Sequence, residues 1–117
     1  FNKGALDYVR DTKNRHRVVY LISGSHQILV KQIDSHLKIF FESFGTQDNF
    51  NMVGINKVKF INEKLNIKDF DYFGNSRKDL PIWKYCKRII YTNVSTSLRK
   101  IIDSSGLSKI EVKENFD

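Results

Sequence analysis

Cysteine is scarce in this chain: Cys86 stands alone, so no disulfide can form within it, and a reducing compartment suits it. One cysteine and three scattered histidines give no spacing for a zinc site. No apolar run approaches the roughly 20 residues that cross a bilayer, and the basic amino-terminal stretch lacks a signal-peptide apolar core. The chain therefore reads as soluble and cytoplasmic, with Cys86 as a small core residue. It contains no internal repeat, low-complexity tract or linker, which leaves one layered domain or part of one. What it does contain is 40% hydrophobic and 13% aromatic residues, enough for a globule folded around its aromatics.

The net charge of +7 invites a nucleic-acid reading through residues such as Arg15, Arg17, Lys87, Arg88 and Arg99. Most of the basic residues, however, alternate with acidic or apolar positions. A solvated basic face accounts for that pattern better than a nucleic-acid patch.

Hydrophobic patterning predicts alternating strands and helices. Asn2 to Thr12 reads as a short amphipathic helix, and Val18 to Ile22 as a β-branched strand buried on both faces. His26 to Leu37 reads as a helix with Leu29, Ile33 and Leu37 inward and Ser25 as its N-cap. Ile39 to Phe44 is a strand, Asn49 to Val53 a loop, and Gly54 to Leu65 a helix with Val58, Ile61 and Leu65 as its buried stripe. Phe70 to Phe73 is a strand, and Pro81 suits the first turn of the next helix because its missing N–H costs nothing there. Arg88 to Thr92 (strand), Thr96 to Asp103 (helix), a break at Ser104-Ser105-Gly106 and Lys109 to Val112 (strand) complete the chain. Such alternation is the signature of an α/β fold with parallel strands.

Two segments carry candidate chemistry. In Val18-Val19-Tyr20-Leu21-Ile22-Ser23-Gly24-Ser25 an apolar strand runs into a hydroxyl and a glycine. Ser23 would sit at the carboxyl edge of the sheet, where open α/β folds bind ligands, and Gly24 would let the main chain approach an anion. A polar strand-to-helix turn is the plainer reading of the same residues. In Phe73-Gly74-Asn75-Ser76-Arg77-Lys78-Asp79-Leu80-Pro81-Ile82-Trp83 a strand is followed by glycine, two oxygen-bearing side chains four positions apart and a proline-started helix.

These two segments resemble the second and fourth motifs of haloacid-dehalogenase-like (HAD) phosphohydrolases. The Gly-Asn-Ser-Arg-x-Asp-Leu-Pro-x-Trp wording is similar to the HAD-like domain fused to UbiA-type membrane prenyltransferases, and the resemblance runs from Phe1 to about Val112. It implies a Rossmann-like three-layer HAD fold with a mostly parallel sheet. It implies phosphate binding by Ser23 and Gly24, a magnesium site at Asn75 and Asp79, and catalytic roles for Ser23 and for Lys57, which lies one helical turn beyond Val53, where the family pattern has lysine. Asn75 departs from the usual Asp and brings no charge. Lys57 reads equally as a surface lysine beside Val58 and Ile61, and Asp79 as a helix cap. Asp71 and Arg77 border the crevice on this reading, although a strand-end acid and a loop arginine are commonly structural, while Trp83 and Tyr85 pack or shield the layer.

The family's first motif, an Asp-x-Asp pair after the central strand, has no counterpart; Asp69-Phe70-Asp71 belongs to the strand entering the fourth motif. With Phe1 in first place, the chain reads as the carboxyl-terminal part of a longer protein, or a processed or decayed remnant, lacking the nucleophile strand. The expected activity is magnesium-dependent hydrolysis of a phosphorylated small molecule once an upstream Asp-x-Asp segment is present. The alternative is a catalytically inactive HAD-like remnant or interaction module. The resemblance also implies an attached membrane prenyltransferase domain and a place at the cytosolic face of a membrane, and an uncovered sheet edge invites self-association. Retention on immobilised DNA or RNA should be absent or insensitive to salt; retention that weakens steeply as salt rises would restore the nucleic-acid reading.

Overall fold

The computed structural model describes residues 3–113. Helix α1 (Lys3–Asn14) leads into β1 (Tyr20–His26), α2 (Gln27–Leu37), β2 (Glu42–Thr46) and α3 (Ile55–Lys59). A π-helical turn, Phe60–Lys64, extends α3. Then follow β3 (Asp71–Gly74), a 3-10 turn (Arg77–Asp79), α4 (Leu80–Trp83), β4 (Arg88–Tyr91), α5 (Thr96–Asp103) and β5 (Ser108–Glu111). Every strand pairing is parallel: β1 with β2, β3 with β4, and β4 with β5. The fold class is thus the α/β arrangement with parallel sheets expected from the alternation. The strands form two separate sheets, because β1 and β3 do not pair with each other.

The larger sheet carries the main core. Trp83, Cys86, Ile89, Tyr91, Leu98 and Ile102 are buried together, with Phe70, Tyr72, Leu80, Val94 and Leu107 packed against them. Trp83 satisfies its indole N–H on the Tyr72 carbonyl at 3.0 Å. Cys86 is buried as expected; burial pushes its thiol pKa up to about 11, so it stays protonated and unreactive. The smaller sheet is held by polar ties to α2: Lys31 Nζ donates to the Ser43 carbonyl at 2.6 Å, and the Ser43 hydroxyl donates to Asp34 at 2.6 Å.

Several local expectations shift. β1 runs on through Ser23, Gly24 and Ser25, since His26 still pairs with Thr46 of β2, so these residues are extended chain and not a turn. The N-cap of α2 is consequently His26, whose Nδ1 accepts the Ile28 N–H at 3.2 Å, and not Ser25. Val30, 1% exposed, is the buried residue of α2, while Leu29 is 48% exposed, because the helix turns its Val30 side onto Gly45 of β2. β2 starts at Glu42, not Ile39, although Ile39 is buried ahead of it. The expected Gly54–Leu65 helix changes pitch at Phe60, where the Leu65 N–H reaches the Phe60 carbonyl at 3.2 Å. α5 matches its expected span, capped by the Ser95 side chain accepting from Leu98 N, and Gly106 supplies a positive φ of 76° at the break before β5.

Leu98→Ala should lower the unfolding free energy by about 2–5 kcal/mol, since the side chain is 1% exposed within the core. Ile28→Ala, at a position 65% exposed, should change it by no more than about 0.5 kcal/mol in the same urea titration. Equal effects would place the core elsewhere.

Candidate functional site

A cavity of about 780 Å³ opens where the two sheets part. One wall is β1 with the residues before it, from Val18 to Ser23; the other runs from Asp69 through β3 to Asn75. Arg17, just before β1, reaches Asp71 at the start of β3 with 3.3 Å between Nη1 and Oδ2. The two strands therefore leave the same end of the cavity and run the same way, which brings Ser23 and Asn75 to its other end.

Two helical segments roof the cavity on opposite faces. Successive strand side chains point to opposite sides of a sheet. Phe73 meets Tyr8 of α1 edge-on at 5.7 Å between ring centres, whereas Tyr72 meets Lys57 of α3. Ala5, Tyr8 and Val9 of α1 thus close the Phe73 face, and Lys57, Ile61 and Leu65 close the Tyr72 face.

At the carboxyl end a polar chain links three residues. Lys57 Nζ donates to the Tyr72 hydroxyl at 2.9 Å and lies 5.6 Å from the centre of its ring. The Tyr72 pKa is raised above the ordinary tyrosine value, first by burial and then by the charge of Asp79 and a hydrogen bond to it. Burial lowers the Lys57 pKa, and the Asp79 charge opposes that shift. Asp79 Oδ2 in turn accepts the N–H groups of Asn75 at 2.8 Å and Ser76 at 3.0 Å. The carboxylate lies so close to the main chain that a Cβ on Gly74 would collide with it. Glycine is required there by contact, not by dihedral.

Ser23, Lys57, Asn75 and Asp79 all line the cavity, although they come from distant parts of the chain. The Ser23 hydroxyl accepts the Ser25 N–H at 3.1 Å. Gly24 lies outside the lining, against Val53, whose Cγ1 would be 2.9 Å from a Cβ at that glycine. Asp71 lines the opposite end, tied to Arg17. Arg77 donates to Ser97 Oγ at 2.9 Å, outside the lining. Trp83 is core, and Tyr85 is exposed.

Sequence reasoning singled out neither Tyr72 nor Thr92, both of which line the cavity. Tyr72 read as one more apolar strand residue, and its partner lies fifteen positions upstream. Thr92, 2% exposed, is the end of a predicted strand; its Oγ1 is buried with no hydrogen-bond partner among the described residues. Nothing in the local pattern marks either one.

The donor set can be tested against magnesium, which favours carboxylate and water oxygens. Asp79 already accepts two amides, Asp71 is paired with Arg17, and Asn75 offers a neutral amide. No group of three His, Cys, Asp or Glu side chains among the described residues is placed to hold a metal. These residues alone do not compose a magnesium site.

No family model matches the chain. The uncharacterized protein y4nM of Sinorhizobium fredii (strain NBRC 101917 / NGR234) is 30% identical over 84 residues, which are 72% of this chain and 16% of that protein. Two crystal structures share the fold. A protein with unknown function from Bordetella pertussis Tohama I superposes with a TM-score of 0.75 at 19% identity, covering 92% of this chain and 56% of that one. The “putative HAD family hydrolase” of Streptomyces avermitilis MA-4680 gives a TM-score of 0.61 at 14% identity, covering 92% of this chain and 58% of that one. The chain therefore has a HAD-like α/β fold and spans little more than half of these structures and about a sixth of y4nM.

The buried amine and phenol give stability a defined pH dependence. Below the ordinary lysine value of 10.5, the unfolded chain holds the Lys57 proton over a range where the folded chain has released it, so this residue's contribution to stability rises with pH. Above the ordinary tyrosine value of 10.0, unfolded Tyr72 ionises while the folded phenol keeps its proton, so its contribution falls. Urea midpoints approaching pH 10.0 should climb more steeply in the parent chain than in Lys57→Met, and the decline beyond it should be shallower in Tyr72→Phe. Parallel curves for parent and Lys57→Met would refute the burial of the amine.

Proposed function

We propose that the chain is part of a HAD-like phosphatase domain that acts on a phosphorylated small molecule when an upstream Asp-x-Asp segment is present. One observation carries this reading: Ser23, Lys57, Asn75 and Asp79 converge on a single cavity at the carboxyl end of parallel strands. The first Asp of the missing pair would attack phosphorus and expel the alcohol, and water would then hydrolyse the aspartyl phosphate. Lys57 would neutralise the phosphoryl charge in a water-poor setting, and the Ser23 hydroxyl would donate to a phosphoryl oxygen. Gly24 would contribute main-chain approach to that phosphate. Asn75 and Asp79 would help hold magnesium, but only beside carboxylates from that further segment. The fused-domain resemblance extends the proposal to a linked membrane prenyltransferase and an isoprenoid-linked or sugar phosphate substrate, at the cytosolic face of a membrane. No described helix is long and apolar enough to cross a membrane.

A second reading is an inactive HAD-like interaction module, which can self-associate through its unpaired sheet edges. It is favoured by Asp79, whose carboxylate is occupied by the Asn75 and Ser76 amides and by Tyr72.

Fusing an apolar strand ending in Asp-x-Asp ahead of Phe1 should produce hydrolysis of p-nitrophenyl phosphate that requires magnesium. Lys57→Ala in that fusion should lower kcat/KM by about 10²–10³-fold. A folded fusion inert across a panel of phosphate monoesters would sink the phosphatase reading and leave the module.

A further inference from the structure

We propose that Tyr72 is a positioning residue for the phosphate site: its hydroxyl stands between Lys57 and Asp79, holds the amine at the cavity and keeps the two charges from closing into an ion pair. The inference rests on the phosphatase reading, which gives the Lys57 amine an anion to meet.

A phenol hydroxyl has one proton to give and lone pairs with which to accept. At Tyr72 the two sides serve different partners. Lys57 Nζ donates to the Tyr72 oxygen at 2.9 Å, and the hydroxyl is hydrogen-bonded to Asp79. Since an ammonium only donates and a carboxylate only accepts, the order is fixed: Lys57 to Tyr72, and Tyr72 to Asp79. Opposite charges in a partly buried setting attract far more strongly than in water, and a lysine carries its charge on a flexible stem. Yet no ion pair joins Lys57 to Asp79 among the described residues. The phenol occupies the place that the carboxylate would take against the amine.

Tyr72 is itself firmly placed, as a spacer must be. Its main chain pairs with Ile89 across β3 and β4, and its carbonyl accepts the Trp83 indole N–H at 3.0 Å. Its ring packs against the buried cluster that contains Trp83 and Ile89, and the Lys57 amine lies 5.6 Å from the ring centre. The amine is thus ordered before any ligand arrives, so little freedom is left for binding to remove. One ammonium N–H serves the phenol, and two remain to meet phosphoryl oxygens. Asp79 keeps its bonds to the Asn75 and Ser76 amides, because a fixed phenol and not a mobile ammonium approaches it. Phenylalanine at this position would fill the same space and offer neither group a partner.

The test is site-resolved acylation of this chain by sulfosuccinimidyl acetate, read by peptide mass spectrometry with the exposed Lys59 of the same helix as reference. Tyr72→Phe should slow acylation of Lys57 relative to Lys59 roughly tenfold, because the amine then closes on Asp79. Combining Tyr72→Phe with Asp79→Asn should restore the parent rate, since the amide keeps an oxygen for the loop and carries no charge. A merely structural tyrosine predicts the opposite for the single variant, as a loosened core exposes the amine and speeds its reaction. Unchanged or faster acylation in Tyr72→Phe, or slowing that Asp79→Asn does not relieve, would overturn the proposal. In the Asp-x-Asp fusion, Tyr72→Phe should lower kcat/KM for p-nitrophenyl phosphate roughly tenfold, and an active fusion indifferent to the change would overturn the proposal as well. A fusion that is inert with Tyr72 in place removes the phosphatase reading instead, and the acylation rates on this chain still decide whether Tyr72 holds Lys57 off Asp79.

Discussion

The Asp79 carboxylate is the contact on which the candidate site depends. It accepts the Asn75 and Ser76 amides, which closes the loop after β3 and starts the short helical run into Pro81. The same carboxylate presses on Gly74, so any side chain at that position would push the loop away. Its charge also reaches inward, keeping the Tyr72 proton in place and partly offsetting the burial of Lys57. One acid thus shapes the loop and modifies what burial, the larger cause, does to the protonation of the two groups behind it. Of the two compatible roles expected of Asp79, cap and metal ligand, these contacts describe the first. Metal binding would need its lone pairs to be shared with an ion.

Around that anchor the protein is asymmetric. The three-stranded sheet holds the aromatic and aliphatic core, with Trp83, Leu98 and Ile102 almost fully buried. The two-stranded sheet leans on α2 through Lys31, which donates to the Ser43 carbonyl, and Gln27, whose Oε1 accepts the Gly45 N–H. Between them lies a gap spanned at its amino end by Arg17 and Asp71, and roofed by α1 and α3. Arg17 is the exposed partner of this pair, which limits what the pair contributes by itself. The roofing helices contact opposite faces of β3 through Tyr8 and Lys57.

Much of the fold was legible because its cues are local. β-branched runs marked β1 and β4, although β1 starts at Tyr20 and Val18, expected inside a doubly buried strand, is 59% exposed; Pro81 marked a helix start, and Ser104-Ser105-Gly106 marked a break. The misreadings fell where a partner overrode the local cue. Pairing of His26 with Thr46 carried β1 through a Ser-Gly-Ser segment that looks like a turn, and that moved the helix cap by one residue. Leu29 had the right spacing to be buried, but Gly45 admits Val30 instead. Of the candidate site, Ser23, Lys57, Asn75 and Asp79 were legible through motif resemblance and do meet in one cavity. Tyr72 and Thr92 were not, because a phenol and a hydroxyl at strand positions acquire a role only through what approaches them.

The sequence by itself determined the alternation of strands and helices, the burial of Cys86, the helix following Pro81 and the closeness of Asp79 to the Gly74-Asn75 loop. Each depends on residues within a few positions of one another, where chain connectivity leaves little freedom. The tertiary structure decided the separation of β1 from β3, the double roof over the gap, and the approach of Lys57 to Tyr72 and of Arg17 to Asp71. Those features join residues fifteen to fifty-four positions apart, and their energy comes from burial and charge shared between elements. No local pattern encodes such contacts, since each partner taken alone is an ordinary strand, helix or surface residue.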